Sequence, residues 1–268
     1  MEKVKSYYDN RAKSYNELFD VLYYKIFDTI TWKYLEPYIP SDLSALVLDA
    51  GGGTGRWAIR MARKGCEVVL MDASEEMLKV AAKSLEEEGL QHKIIIKSGD
   101  ISRTGYADEM FDMILCEHTL FLFKEPDTVI KELNRVLKKK ARLVVSVHNR
   151  YVQSLVALAE RPSSGNVGGA LNVLLRKRHG AMDQREEVKI YTWTPDEFRE
   201  MLERNGFHVE KIVGKGYTVP LRISKELFMK KEYPKEFFDK ILQFELALCE
   251  RPDALALAGH LQAIACKP

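Results

Sequence analysis

Acidic side chains stand just after four apolar runs of this 268-residue chain. Asp49 follows Leu46-Val47-Leu48, and Asp72 follows Val68-Val69-Leu70-Met71. Asp100 follows Ile94-Ile95-Ile96 after a Ser98-Gly99 step, and Glu117-His118 follow Met113-Ile114-Leu115-Cys116. Continuous apolar runs of this length are buried parallel strands. In an open α/β sheet, ligands bind in the crevice outside the carboxyl ends of such strands. After the first run comes Gly51-Gly52-Gly53-Thr54-Gly55. Gly51, Gly53 and Gly55 let the backbone turn tightly and approach a ligand with no Cβ in the way. Such a turn also occurs as a plain connection, so its neighbours must decide its use. Asp72 stands 21 positions after Gly51, the offset of the acid that bonds ribose hydroxyls in nucleotide-binding α/β folds.

The elements that must carry these residues alternate strand and helix. Arg56 to Lys64, with Trp57, Ile59, Met61 and Ala62, predicts a helix that Gly65 stops. Ser74 followed by Glu75 and Glu76 caps a second helix, ended by Gly89. Pro126-Asp127 opens a third through Leu137, and Arg142–His148 is a fifth strand. This β-α rhythm means a mostly parallel sheet with helices on both faces. Ahead of it, residues 1–38 carry apolar and aromatic side chains at three- and four-residue steps. They form either a helical layer packed on the sheet or a lid whose tyrosines and Arg11 close over a ligand. After the fifth strand, residues 149–186 hold amphipathic helix, a Pro162–Gly169 glycine-serine patch and a basic Arg176-Lys177-Arg178-His179 cluster. The cluster is a solvated helix end or an anion- or RNA-facing patch. Thr194-Pro195-Asp196-Glu197 is a capping-box helix start, and residues 217–258 form a second helical insertion. Both insertions, 149–186 and 217–258, are expected as a lid over the ligand face. His260–Cys266 closes the chain as a strand.

Composition narrows the class. Hydrophobic residues make up 46%, enough for a packed core, and the net charge of +2 implies no nucleic-acid or membrane partner by itself. The four cysteines are widely spaced with no C-x-x-C, which points to free thiols in a reducing cytoplasm and to no metal site. No apolar run approaches the ~18 residues that cross a bilayer, and the polar start does not resemble a leader.

The motif set Val47–Gly55, Met71-Asp72-Ala73-Ser74 with Met77, Ser98–Ile101, Phe111–Ile114 and Leu137–Val147 resembles the class I S-adenosylmethionine (SAM)-dependent methyltransferases of type 11 over residues 40–268. The resemblance implies a single α/β domain with a Rossmann-like, doubly wound, seven-stranded, mostly parallel sheet whose last strand is antiparallel. It also implies site roles. Gly51, Gly53 and Gly55 would pass the methionine part of SAM, with Asp49 near its amino group or an ordered water; Tyr15 of the N-terminal layer, outside the resemblance, is a further candidate contact to SAM. Asp72 would take both ribose hydroxyls, because a carboxylate accepts two hydrogen bonds. Ala73 and Met77 would line the adenine, and Gly99, Asp100 and Ile101 would read its edge. Cys116 and Glu117 would lie under the sulfonium and methyl. A dinucleotide dehydrogenase is disfavoured, since its fingerprint wants a third Gly or Ala where Arg56 stands.

Methyl transfer asks mainly for positioning and exclusion of water. A hydroxyl or amine acceptor also benefits from a base. Glu117 and His118 are the first candidates, with His148, Tyr7 and Tyr15 behind them. The Cys116-Glu117-His118-Thr119 step lacks the Asn/Asp-Pro-Pro-aromatic signature of amide-nitrogen enzymes and the Pro-Cys nucleophile of pyrimidine C5 enzymes. A small-molecule acceptor is the leading expectation. The alternative is a tRNA-modifying enzyme of the wobble-uridine carboxymethyl type, which the stretch Leu246–Leu261 faintly resembles, with Arg176-Lys177-Arg178 and Lys138-Lys139-Lys140 on phosphate. A non-catalytic SAM-binding module is the third reading. Monomer and homodimer stay open.

Overall fold

Ten strands carry the sequence patterns: β1 (Leu46–Ala50), β2 (Glu67–Asp72), β3 (Ile94–Ser98), β4 (Phe111–Cys116), β5 (Leu137–Asn149), β6 (Ala181–Asp183), β7 (Val188–Ile190), β8 (Thr192–Trp193), β9 (His208–Lys215) and β10 (His260–Cys266). They belong to a computed structural model that describes residues 2–42, 44–160, 164–175, 181–183, 188–218 and 229–268. The main sheet runs β3-β2-β1-β4-β5-β10-β9. Pairings among β1 to β5 are parallel, and β10 lies antiparallel between β5 and β9. The last strand is therefore antiparallel as expected. The strand count is corrected from seven to eight, because β8 adds a short parallel pairing at His148 and Asn149. Its Trp193 is 1% exposed, and burying so large an indole holds the chain against the carboxyl end of β5.

Alternate side chains divide between two cores, as a period of two requires. Leu48, Ala50, Val69, Met71, Ile114 and Cys116 face one core. Val47, Val68, Leu70, Met113 and Leu115 face the other. The helices α1 (Glu2–Asp9), α2 (Ala12–Tyr15) and α3 (Leu22–Leu35) precede the sheet. They are followed by α4 (Arg56–Arg63), α5 (Glu75–Glu87) and α6 (Pro126–Val136), then α7 (Arg150–Glu160), α8 (Ser164–Leu175), α9 (Pro195–Arg204) and α10 (Lys235–Cys249). The expected caps are present. Ser74 Oγ accepts from Met77 N at 3.2 Å, and Thr194 with Glu197 completes a reciprocal capping box.

The N-terminal layer is broken into pieces, and only α3 sinks into the core, through Leu22, Ile26 and Ile30. α1 has no buried residue. It crosses instead toward α5, where Asp9 Oδ1 accepts from Ser74 Oγ at 2.5 Å and from Glu76 N at 3.4 Å. α10 packs against α3 and β9. Its buried Glu245 binds the turn after β9 through Gly216 N (3.0 Å), Tyr217 N (3.0 Å), Thr218 N (2.8 Å) and Thr218 Oγ1 (2.7 Å). Four donors on one carboxylate fix the end of β9, which bears Lys215. The Arg176–His179 cluster, Pro162-Ser163 and residues 219–228 lie outside the described residues.

Candidate active site

The carboxyl ends of β1 to β5 and the start of β10 open on one cavity of ≈ 540 Å³. β1 sits where the sheet order reverses between β2 and β4, the switch point at which open α/β sheets bind ligands. At this point Gly51 N and Gly52 N both donate to Met71 O, at 2.7 and 3.2 Å, which folds the glycine turn back on β2. Gly51 and Gly53 have φ of +77° and +55°. A Cβ on Gly53 would meet nothing nearer than Met77 Cε at 3.5 Å, so the turn leaves an open cradle on its cavity side.

One end of the cavity gathers the acids of β2 and β3. Asp72 Oδ2 accepts from Gly53 N at 2.9 Å and Oδ1 from Ser74 N at 2.8 Å. Each oxygen keeps a further lone pair, so the carboxylate still has capacity for a diol. Burial pushes its pKa up, against the lowering effect of the N–H groups of Ser74, Gly53 and Ala73. Ala73, Met77, Gly99, Asp100 and Ile101 line the same end. Asp100 Oδ1 accepts from Ser102 N at 2.8 Å, which fixes its rotamer.

The roof is the N-terminal layer. Tyr8, Tyr15, Phe19 and Tyr24 form an edge-to-face chain with centroid separations of 5.9, 5.4 and 5.3 Å, and all four line the cavity. Asn16 Oδ1 accepts from Thr54 Oγ1 at 2.6 Å, latching this roof to the glycine turn. None of the described residues of 149–186 or 217–258 lines the cavity. α7 packs mainly on α8, with smaller contacts to β5, β8 and residues 255–257. Arg56 also faces the cavity, stacked 3.6 Å over Phe19 and paired with Asp28.

The other end carries Glu117, His118, His148 and His260. Glu117 is joined at Oε1 to Lys215 Nζ at 2.8 Å, and both side chains are at most 1% exposed. Lys215 Nζ also donates to Thr31 Oγ1 and Gln262 Oε1, each at 2.8 Å. His118 sits at φ +55°, an uncommon conformation for a residue with a Cβ. Its amide donates to Ser146 Oγ at 3.0 Å. The imidazole centroids lie 4.9 Å (His118–His260), 4.2 Å (His148–His260) and 6.2 Å (His118–His148) apart. Burial lowers all three pKa values, that of His148 to about 4, so these rings are uncharged at neutral pH. His148 Nδ1 lies 3.1 Å from the Gln153 amide nitrogen, which places its proton on Nε2. Among the described residues no group of three or more His, Cys, Asp or Glu is arranged to hold a metal ion.

Three sequence-predicted positions lie outside the cavity wall. Gly55 serves α4 as its left-handed cap. Cys116 is fully buried in the sheet core beside Ala50 and Met71, because its parity along β4 turns it away from the crevice, and burial raises its thiol pKa. Asp49 points into the first turn of α4, where Oδ2 accepts from Ala58 N at 3.0 Å. Tyr15, a candidate base, is a neutral hydroxyl with its pKa pushed by burial to about 12. Lys215, His260, Thr119 and Gln262 carry no sequence signal of function. Lys215 looks like any strand-end lysine, and only its 0% exposure reveals it.

Asp49 also makes stability depend on pH. Burial raises its folded pKa to about 7, above the ~3.9 of an exposed aspartate. Its contribution is therefore present at pH 4 and lost as pH rises through 7. Relative to Asp49→Asn, the wild-type chain is expected to lose roughly 4 kcal/mol across that window. Urea denaturation of both proteins at several pH values measures it, and parallel curves would refute it.

A glycine cradle, two strand-end carboxylates and an enclosing roof on a 3-2-1-4-5-10-9 sheet define a class of protein. A methyltransferase-domain family model matches residues 48–145. That match, with the fold and the relatives below, supports the class I SAM-dependent methyltransferase family. Among individual relatives, it is 24% identical over 226 residues to the tRNA 5-carboxymethoxyuridine methyltransferase of Escherichia coli K12, covering 83% of this chain and 80% of that enzyme. It is 30% identical over 167 residues to the ubiquinone/menaquinone biosynthesis C-methyltransferase UbiE of Hydrogenovibrio crunogenus, covering 59% and 63%. A SAM-dependent methyltransferase structure from Thermotoga maritima superposes with a TM-score of 0.59 at 17% identity, covering 97% and 98%, and so shares the fold.

Proposed function

We propose that this cavity binds SAM across β1, β2 and β3 and a small-molecule acceptor over β4, β5 and β10. The observation that supports this most is the convergence of the glycine cradle, Asp72 and Asp100 at one end with Glu117 and His118 at the other. The residues fit the cofactor. Asp72 has spare acceptor capacity for the ribose, and Asp100 for the adenine amino group. Ala73, Met77 and Ile101 supply an apolar wall for the adenine. Arg11 and Arg56 bring positive charge to the end where a methionine carboxylate would lie. When bound, SAM supplies a methyl group already activated by its sulfonium. The chain's part is to hold the acceptor in line and to keep water out beneath the aromatic roof.

A small molecule is favoured over tRNA by where one of the two basic clusters lies, the other, Arg176-Lys177-Arg178, being outside the described residues. Lys138, Lys139 and Lys140 stand at the amino end of β5, and His148 at its cavity end. Eight to ten residues of strand separate them by on the order of 30 Å. Lys138 is moreover paired with Asp112 at 2.7 Å.

Calorimetry with SAM and S-adenosylhomocysteine tests the reading. Asp72→Ala is expected to weaken binding by roughly 1.5–3 kcal/mol, the range for hydrogen bonds to a charged group. Undiminished affinity in a variant that folds normally would remove Asp72 from the site. Retention of tRNA by the protein at low salt, lost as salt rises, would favour the RNA-modifying alternative.

A further inference from the structure

Three cavity-lining side chains each carry a buried polar atom without a hydrogen-bond partner: Glu117 Oε2, His118 Nε2 and His260 Nδ1. Native interiors leave few such atoms, and here the three residues that carry them line one cavity. The cluster is uncharged overall. Lys215 neutralises Glu117, and the imidazoles are neutral. A hydroxyl has one proton to donate and two lone pairs to fill. Those requirements match one carboxylate oxygen and two imidazole nitrogens.

We propose, building on the SAM-site reading, that this end receives an uncharged aromatic hydroxyl, held by Glu117 Oε2, His118 Nε2 and His260 Nδ1 with Lys215 as the positioning residue. The ring is asked for by the walls, since Phe121 stands 4.3 Å from His148 and Tyr23 and Ile190 line the same space. A carboxylate acceptor is turned away. It has no proton for Glu117 Oε2, and the three protons of Lys215 are already given to Thr31, Glu117 and Gln262. The chemistry of this end thus departs from that of a carboxymethoxyuridine, although a relative modifies that nucleoside. A protonated amine is also disfavoured, because Lys215 already balances the Glu117 charge and a second cation would find no counter-charge at this end.

Calorimetry on the complex saturated with S-adenosylhomocysteine tests this, with 2-naphthol, 2-naphthoate and 2-naphthylmethylammonium as probes. S-adenosylhomocysteine binding is measured first. Its absence would overturn the SAM-site reading itself, separately from the acceptor class. With the cofactor product bound, 2-naphthol is expected to bind at least tenfold tighter than either charged probe. Glu117→Gln and His260→Phe should each reduce that preference to under threefold. Lys215→Arg keeps the charge but moves the carboxylate, and it should weaken naphthol tenfold with S-adenosylhomocysteine affinity within twofold of wild type. Naphthoate or the ammonium probe binding as tightly as naphthol, or no naphthol binding at all, overturns the proposal.

Discussion

Lys215→Met is expected to lower the free energy of unfolding by about 3–5 kcal/mol, the usual result of removing one partner from a buried ion pair. Lys215 is fully enclosed, and its ammonium has three oxygen partners at 2.8 Å. Methionine fills the volume of the stem but leaves Glu117 as an uncompensated carboxylate in an apolar surround. The second substitution decides the cause. In Lys215→Met with Glu117→Gln the buried charge is gone, so most of the loss should return. Chemical denaturation of the four proteins of this cycle measures the coupling. If Lys215→Met alone unfolds like wild type, the pair does not hold this end of the site. Burial lowers the lysine pKa while Glu117 opposes that shift. The ammonium is thus kept by its partner rather than by solvent.

Gly51→Ala is the second large effect, with an expected cost of about 2–5 kcal/mol. Two terms contribute. The residue sits at φ +77°, where a Cβ costs roughly 1–2 kcal/mol. The added methyl would also overlap the Thr119 side chain, whose Oγ1 donates to Gly51 O at 3.1 Å. Adding Thr119→Ala should recover only a share of the steric part, since Thr119 Cβ would still lie 2.8 Å from the new methyl, and leave the backbone part. Thermal unfolding reports the stability terms, and S-adenosylhomocysteine affinity reports the distortion of the cradle. A Gly51→Ala protein with unchanged melting and affinity would show that the turn needs neither the positive φ nor the close approach.

Much of the fold was legible because its signals are local. The runs at Leu46–Leu48, Val68–Met71 and Ile114–Cys116 became the expected parallel strands. The caps at Ser74 and Thr194 formed where short polar side chains precede helical periodicity. Asp72, Asp100 and the glycine turn share a cavity because each follows directly on a strand end, so strand order alone brings them together. Parity was less forgiving. Cys116 and Glu117 are neighbours in sequence, yet the pleat sends one to the core and the other to the crevice. Asp49 shows how a strand-end acid can serve a helix terminus instead of a ligand, since the first backbone N–H groups of α4 lack partners within the helix.

What the sequence determined by itself is the end of the cavity proposed for the cofactor: a glycine cradle and two acids, set by backbone geometry within single β-α units. The other half was decided only in the tertiary structure. The floor at that end of the cavity joins Glu117 and His118 of the β4 end to His148 of β5, Lys215 of β9, and His260 and Gln262 of β10. His260 meets His148 only through the antiparallel register of β10 on β5, and Lys215 reaches Glu117 across β10 with Glu245 pinning the turn behind it. Such pairings join residues 98 positions apart in the Lys215–Glu117 case. Nothing in the local pattern of a strand specifies them. They arise when the sheet is assembled, and burial then makes each charge require its partner.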